Sequence, residues 1–312
     1  MDLATSPAGW FAEVRDHARA HRAAALGLGV ALLGVLVLLA QSLAQSLAQV
    51  IGGTAGPGLR LAMLGGAAGF ATTALGALPA LVMRSLPQHW EDCLLGLAAG
   101  MMLAASAFSL LLPGLDAAEQ QLGHAGLASG VVVLGMALGV LLMLGLDAFT
   151  PHEHDKTGPC GPGHQQCGRI WLFVFAIALH NLPEGMAIGV SFSQGDLSVG
   201  LPLTTAIALQ DIPEGLAVAL ALRGAGFAPG VAVLVAAASG ILEPLGALLG
   251  VGLSSGLALA YPIGLGLAAG AMLFVVSHEV IPETHRNGHQ TAATLGLMVG
   301  FALMMVLDTS LG

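Results

Sequence analysis

The chain has 312 residues, of which 56% are hydrophobic and 9% charged, with a mean hydropathy of +0.86. Soluble domains carry about 25% charged residues, so a soluble globule is excluded and a membrane protein is expected. The formal net charge of −9 argues against a nucleic-acid partner. Three cysteines, Cys93, Cys160 and Cys167, are too few and too unevenly spaced for a disulfide scaffold.

A transmembrane helix needs about 20 mostly apolar residues. Nine segments qualify: 23–48, 59–83, 93–115, 126–149, 169–193, 199–222, 228–252, 257–281 and 291–311. The reading is therefore an all-α polytopic membrane protein with short connections. A head with Arg15, Arg19 and Arg22 precedes the first span, which is retained rather than cleaved, because its apolar run is long and no small-residue cleavage site is evident. Residues 150–168 form a histidine-containing loop. In that loop Cys160 and Cys167 flank His164 and read as reduced thiols, since their spacing fits no zinc knuckle.

With nine spans, Arg15, Arg19, Arg22, Arg84, Lys156, Arg169, Arg223 and Arg286 fall on one side of the membrane and Arg60 alone on the other. The positive-inside rule then places the N-terminus in the cytoplasm and the C-terminus outside, in the periplasm of a bacterial inner membrane. Glycines spaced by four, Gly65/Gly69, Gly96/Gly100, Gly135/Gly139 and Gly246/Gly250, let helices approach closely. Packing within one bundle explains them; a homodimer interface is the other use of such stripes.

Ionisable groups within a span are costly and mark function. His180 lies near the centre of the fifth span, Gln210 and Asp211 near the centre of the sixth, and Glu243 just past the centre of the seventh; Glu184 and Glu214 follow one turn along. Two of these helices carry an internal repeat. Leu179-His180-Asn181-Leu182-Pro183-Glu184-Gly185 aligns with Leu209-Gln210-Asp211-Ile212-Pro213-Glu214-Gly215. Positions three and four apart share a helix face, so each glutamate stands next to both polar residues before it. A carboxylate placed this way can bridge two cations. Pro183 and Pro213 loosen the carbonyls of Leu179 and Leu209 and predict a kink beside the ligands.

An imidazole with carboxylates and amides suits zinc and its neighbours cadmium, iron and manganese better than magnesium or calcium. Glu184, Asp211, Glu214 and Glu243 carry four negative charges when ionised, which two divalent cations balance. Taken singly, the histidine can be an interhelical hydrogen-bonder, the amides packing glue, and the carboxylates a proton relay; the repeated spacing favours a metal site over all three. A metal-dependent intramembrane hydrolase is the alternative, although no His-Glu-x-x-His motif is present. No phosphate-binding Gly-x-x-x-x-Gly-Lys-[Ser/Thr] loop supports ATP-driven pumping.

Candidate entry residues on the outer side are Asp116 and Glu119, with Ser109 about two turns deeper and Met101 and Met102 further in. On the cytoplasmic side Asp147 leads into His152-Glu153-His154-Asp155, a stretch poor in order-promoting residues, and His278-Glu279 with Glu283 and His285 close the eighth span. These are candidate exit residues; His289 and His164 read as ordinary loop histidines. Of the eleven histidines only His124 lies outside on the outer face, an asymmetry that favours inward release.

On the paired motifs at 180–185 and 210–215, with Glu243-Pro244 and the histidine-bearing loop, the chain resembles the ZIP family of metal transporters, in its bacterial branch. The resemblance implies an eight-helix 3+2+3 core over residues 51–312, with spans two to four and seven to nine as inverted repeats around spans five and six, and makes residues 1–50 a cytoplasmic amphipathic head with an extra N-terminal helix. It implies His180, Glu184, Gln210, Glu214 and Glu243 as ligands of one ion, and Asn181, Asp211 and shared glutamates as ligands of a second. The implied substrates are Zn2+ and Cd2+, with iron and manganese, carried to the cytoplasm by sliding of the ligand-bearing bundle against a fixed wall. Many relatives have histidine where this chain has Gln210, a weaker and neutral ligand.

Overall fold

The computed structural model describes residues 56–149, 152–154, 158–160, 169–254 and 259–311, with scattered positions between 19 and 53. Eight helices follow in order: α1 Pro57–Leu81, α2 Gln88–Leu122, α3 Ala125–Phe149, α4 Arg169–Phe192, α5 Leu197–Gly224, α6 Pro229–Leu253, α7 Ala260–Thr284 and α8 Gln290–Leu311. Among the described residues seven are long and apolar enough to cross a membrane, and α4, with 24 residues, is of similar length. The protein is an all-α polytopic membrane protein. Most of the predicted first span lies outside the described residues; the positions described there are helical, and Leu26, Val30 and Leu33 are exposed.

Helix ends follow the local sequence. Pro57 and Pro229 open α1 and α6, where a missing N–H costs nothing. Gly123 adopts φ +66° at the end of α2 and returns its N–H to the Glu119 carbonyl at 2.8 Å, a left-handed cap that L side chains rarely adopt. Two helices change winding internally. Ser106–Leu111 in α2 and Val276–Val280 in α7 are π turns, in which the N–H groups of Leu112 and Ile281 reach five residues back. Each is followed by a proline, Pro113 or Pro282, whose ring would clash with the carbonyl of a regular preceding turn.

The predicted seventh span is interrupted. It runs as Pro229–Ser239 and Leu242–Leu253, broken at Gly240–Ile241, because Pro244 has no N–H to give to the Gly240 carbonyl; Glu243 gives its own at 3.1 Å instead. By contrast, α4 and α5 stay α-helical through Pro183 and Pro213, with no change of winding there. The loop between α3 and α4, poor in order-promoting residues, contains an antiparallel backbone pairing of His152–His154 with Gly158–Cys160.

Helices pair through glycine. Gly96 and Gly100 of α2 seat against backbone of Ala293 and Leu297 on α8, and Gly296 and Gly300 of α8 seat back against Cys93 and Leu97. Gly135 and Gly139 of α3 meet Ile263 and Leu267 of α7, answered by Gly266 and Gly270 on Val132 and Met136. Gly185 and Gly189 of α4 meet Glu243 and Ala247 of α6, answered by Gly246 and Gly250 on Met186. These stripes are occupied inside the chain. α1 packs along α5 in the same manner, Gly76 on Ile212 and Gly215 on Thr73. Exchanging α1–α3 for α6–α8, and α4 for α5, maps this pairing onto itself, as two repeats of opposite membrane direction require. Outward-facing Leu64, Val133, Leu141, Leu234, Leu295 and Val299 form the apolar belt that lipid demands.

Candidate metal centre

The polar residues of α4, α5 and α6 converge. His180, Asn181, Glu184, Gln210, Asp211, Glu214 and Glu243 are each between 0 and 3% exposed. The helical repeat explains the arrangement: on α5, Gln210, Asp211 and Glu214 face inward, while Leu209 before them and Ile212 among them are 40% and 41% exposed. Glu184, Asp211 and Glu214 each offer a carboxylate oxygen, and these oxygens lie within 4.8 Å of one another. Gln210 donates its amide N–H to Glu184 Oε1, linking the two copies of the motif. Glu243 enters from the first turn after the α6 break, where the interruption lets a carboxylate reach the centre.

The donor set is incomplete as a hydrogen-bond network. Among the described residues, both ring nitrogens of His180, Glu184 Oε2, Gln210 Oε1, Glu214 Oε1 and Glu243 Oε2 are buried without a partner. An unmet buried polar atom costs about 1–3 kcal/mol, and two of these atoms belong to Glu184 and Glu214 of the carboxylate cluster, which therefore needs a compensating ligand; His180 does not join that cluster. No Lys or Arg among the described residues pairs with the four carboxylates. Carboxylates crowded in this way bind cations or take up protons. Imidazole nitrogen, carboxylate oxygen and amide oxygen together form a borderline set suited to zinc.

Two helix-α1 hydroxyls, which the sequence reading missed, complete the ring around the carboxylates. Thr72 Oγ1 donates to Asp211 Oδ2 at 3.1 Å, and Thr73 Oγ1 donates to Glu243 Oε1 at 2.8 Å. Threonines in an apolar span carry no charge signal, so nothing local distinguished them from packing residues.

Ser109 and Asp116, predicted entry residues, line a cavity of about 980 Å³ together with Asp196, Ser254, Tyr261 and Asp308. Ser109 Oγ donates to Asp308 Oδ1 at 2.7 Å. Met102 does not line this cavity: it is fully buried in the core with Met101, and Glu119 is exposed away from the lining. Asp308 was legible in principle, as a lone carboxylate inside an apolar span. The side chains of Asp147, His152 and His154, predicted exit residues, lie outside the described residues. His278 is exposed on the α7 π turn, its ring 4.8 Å from that of Phe274, with Glu279 beside it. His289 is more than a loop histidine: its Nδ1 lies 2.9 Å from Asp92 Oδ2, and Asp92 is buried, also accepting from Gln88 and Asn287.

The profile of the ZIP Zinc transporter family matches residues 150–308. The zinc transporter ZIPB of Bordetella bronchiseptica is 63% identical over 95% of this chain and 94% of its own length, a relative rather than the same protein. The zinc transporter GufA of Myxococcus xanthus is 43% identical over 82% of this chain and all (100%) of its own. The human zinc transporter ZIP11 is 30% identical over 80% of this chain and 97% of its own. With the profile covering half the chain and relatives spanning most of it, the chain belongs to the ZIP zinc transporter family.

Proposed function

We propose that this protein carries zinc across the bacterial inner membrane into the cytoplasm, with the α4–α5–α6 centre as its transport site. The observation that carries the reading is the group of buried, partnerless donor atoms on His180, Glu184, Gln210, Glu214 and Glu243. Relatives named as zinc transporters support zinc as the substrate. The donor chemistry extends the reading to Cd2+, iron and manganese.

Four carboxylates within one buried centre favour two cations. His180, Glu184, Gln210, Glu214 and Glu243 hold the first; Asn181 and Asp211, with the shared glutamates, hold the second. Ions enter by the outer cavity at Ser109, Asp116 and Asp308, and leave past His278 and Glu279 toward Asp147, His152 and His154. The histidine placement supports this inward direction, and the positive-inside distribution supports a cytoplasmic N-terminus and periplasmic C-terminus. Residues 51–312 are the transporting unit, 150–168 its cytoplasmic loop, and 1–50 an addition to it. The helices that bear or contact the ligands (α1, α4, α5, α6) move against a wall of α2, α3, α7 and α8.

Zinc uptake into proteoliposomes tests the reading. Glu184→Ala and Glu214→Ala insert normally and carry no zinc; normal zinc uptake by both variants would sink it.

A further inference from the structure

The carboxylates of the centre are held from α1 as well as from the helices that bear them. Thr72 has three acceptors in reach and Thr73 two. Thr72 Oγ1 lies 2.8 Å from the Gly69 carbonyl, 3.0 Å from the Ala68 carbonyl and 3.1 Å from Asp211 Oδ2; Thr73 Oγ1 lies 3.2 Å from the Gly69 carbonyl and 2.8 Å from Glu243 Oε1. A hydroxyl has one proton to give, and a carboxylate ionised by a bound cation is a stronger acceptor than a peptide carbonyl, so with metal in the centre the carboxylates receive it. Each threonine thus occupies one oxygen of its carboxylate, and at Glu243 the other oxygen, Oε2, is left without a partner.

Gly69 makes the approach possible. A Cβ at this position would overlap Glu243 Oε2 and come within 3.3 Å of Asp211 Oδ2. Its neighbour in the glycine stripe, Gly65, faces Ile188 and Phe192 instead, so that glycine serves packing while Gly69 faces charge. Gly240, at the α6 break, completes the floor beneath Thr73 and Glu243.

We propose that Thr72, Thr73 and Gly69 are positioning residues of the metal centre, fixing which carboxylate oxygens of Asp211 and Glu243 face the cation. The proposal rests on those two acids being metal ligands. Groups that hydrogen-bond a metal ligand from behind orient it, and their loss costs about 10–100-fold in metal affinity.

The test compares variants that keep shape with variants that keep the hydroxyl. Purified Thr72→Val, Thr73→Val, Thr72→Ser and Thr73→Ser proteins are titrated with zinc alone, melted without metal, and assayed for the KM and Vmax of zinc uptake in proteoliposomes. Thr73→Ala serves as a second hydroxyl-free variant where the valine methyl crowds the contact. The valine and alanine variants bind zinc about tenfold or more weakly, with a raised KM, while the serine variants match the parent. Gly69→Ala loses zinc binding more completely. The proposal is overturned if hydroxyl-free variants bind zinc like the parent, or if the serine variants fail alongside them, since the methyl and not the hydroxyl then matters. If the parent protein binds no zinc, or binds it unchanged with Glu184→Ala, the reading of the site itself fails, and the positioning role with it.

Discussion

Gln210 and Glu184, 26 residues apart, are joined by one buried hydrogen bond between the two copies of a repeated motif. The bond turns the Gln210 carbonyl oxygen away from Glu184, and that oxygen has no partner among the described residues. A single amide therefore steadies one candidate ligand and offers a second donor atom.

Replacing that amide separates its two roles. Gln210→Ala strands Glu184 Oε1, and metal-free stability falls by about 1–2 kcal/mol, with zinc uptake reduced at least about tenfold. Gln210→His supplies a nitrogen donor that zinc prefers to an amide oxygen, and zinc binds more tightly. Competition with a zinc-chelating dye measures both. Weaker binding by the histidine variant would show that the amide acts through Glu184 alone.

On the proposed inward path, the cavity lined by Ser109 acts before the α4–α5–α6 centre. Its acids, Asp116, Asp196 and Asp308, are then expected to raise the local concentration of divalent cations. Asp308→Asn and Ser109→Ala therefore raise the KM of zinc uptake several-fold, most strongly at low ionic strength, where screening is weakest. Equilibrium zinc binding to the central site stays at the parent value. A fall in Vmax with unchanged KM would place these residues in the translocation step instead.

Close helix contact rests on particular glycines. A methyl at Gly100 would meet the Leu297 carbonyl and lie 2.8 Å from the Phe301 nitrogen, whereas Gly130 has nothing within 4 Å of the same position. Gly100→Ala costs about 1–3 kcal/mol because α2 and α8 must separate. Gly130→Ala is neutral or gains up to about 1 kcal/mol from helix propensity. Thermal unfolding in detergent distinguishes the two.

Buried Asp92 ties α2 to the segment before α8 through Asn287 and His289. Asp92→Ala removes these hydrogen bonds while their donors reach water, and lowers stability by about 0.5–1.5 kcal/mol. Zinc affinity at the α4–α5–α6 centre does not change. A parallel loss of zinc binding would show that this tie reaches the site.

The helices of the buried polar centre were legible in the sequence because the relevant physics is local. Charge in hydrocarbon is expensive wherever it occurs, so His180, Asp211, Glu214 and Glu243 announced themselves. Helical periodicity then put each glutamate on the face of the residues three and four before it, and the glycine spacings marked surfaces for close approach. The pairing of those surfaces belonged to the tertiary structure. Lipid tails are as apolar as leucine, so hydrophobicity does not choose partners among membrane helices; close packing and hydrogen bonds do, and these depend on where every helix finally lies. Thr73 finds Glu243 across 170 residues, and Ser109 finds Asp308 across 199. A neutral threonine in an apolar span gives no sign of the carboxylate it will meet, because that meeting is set by the folded helices around it.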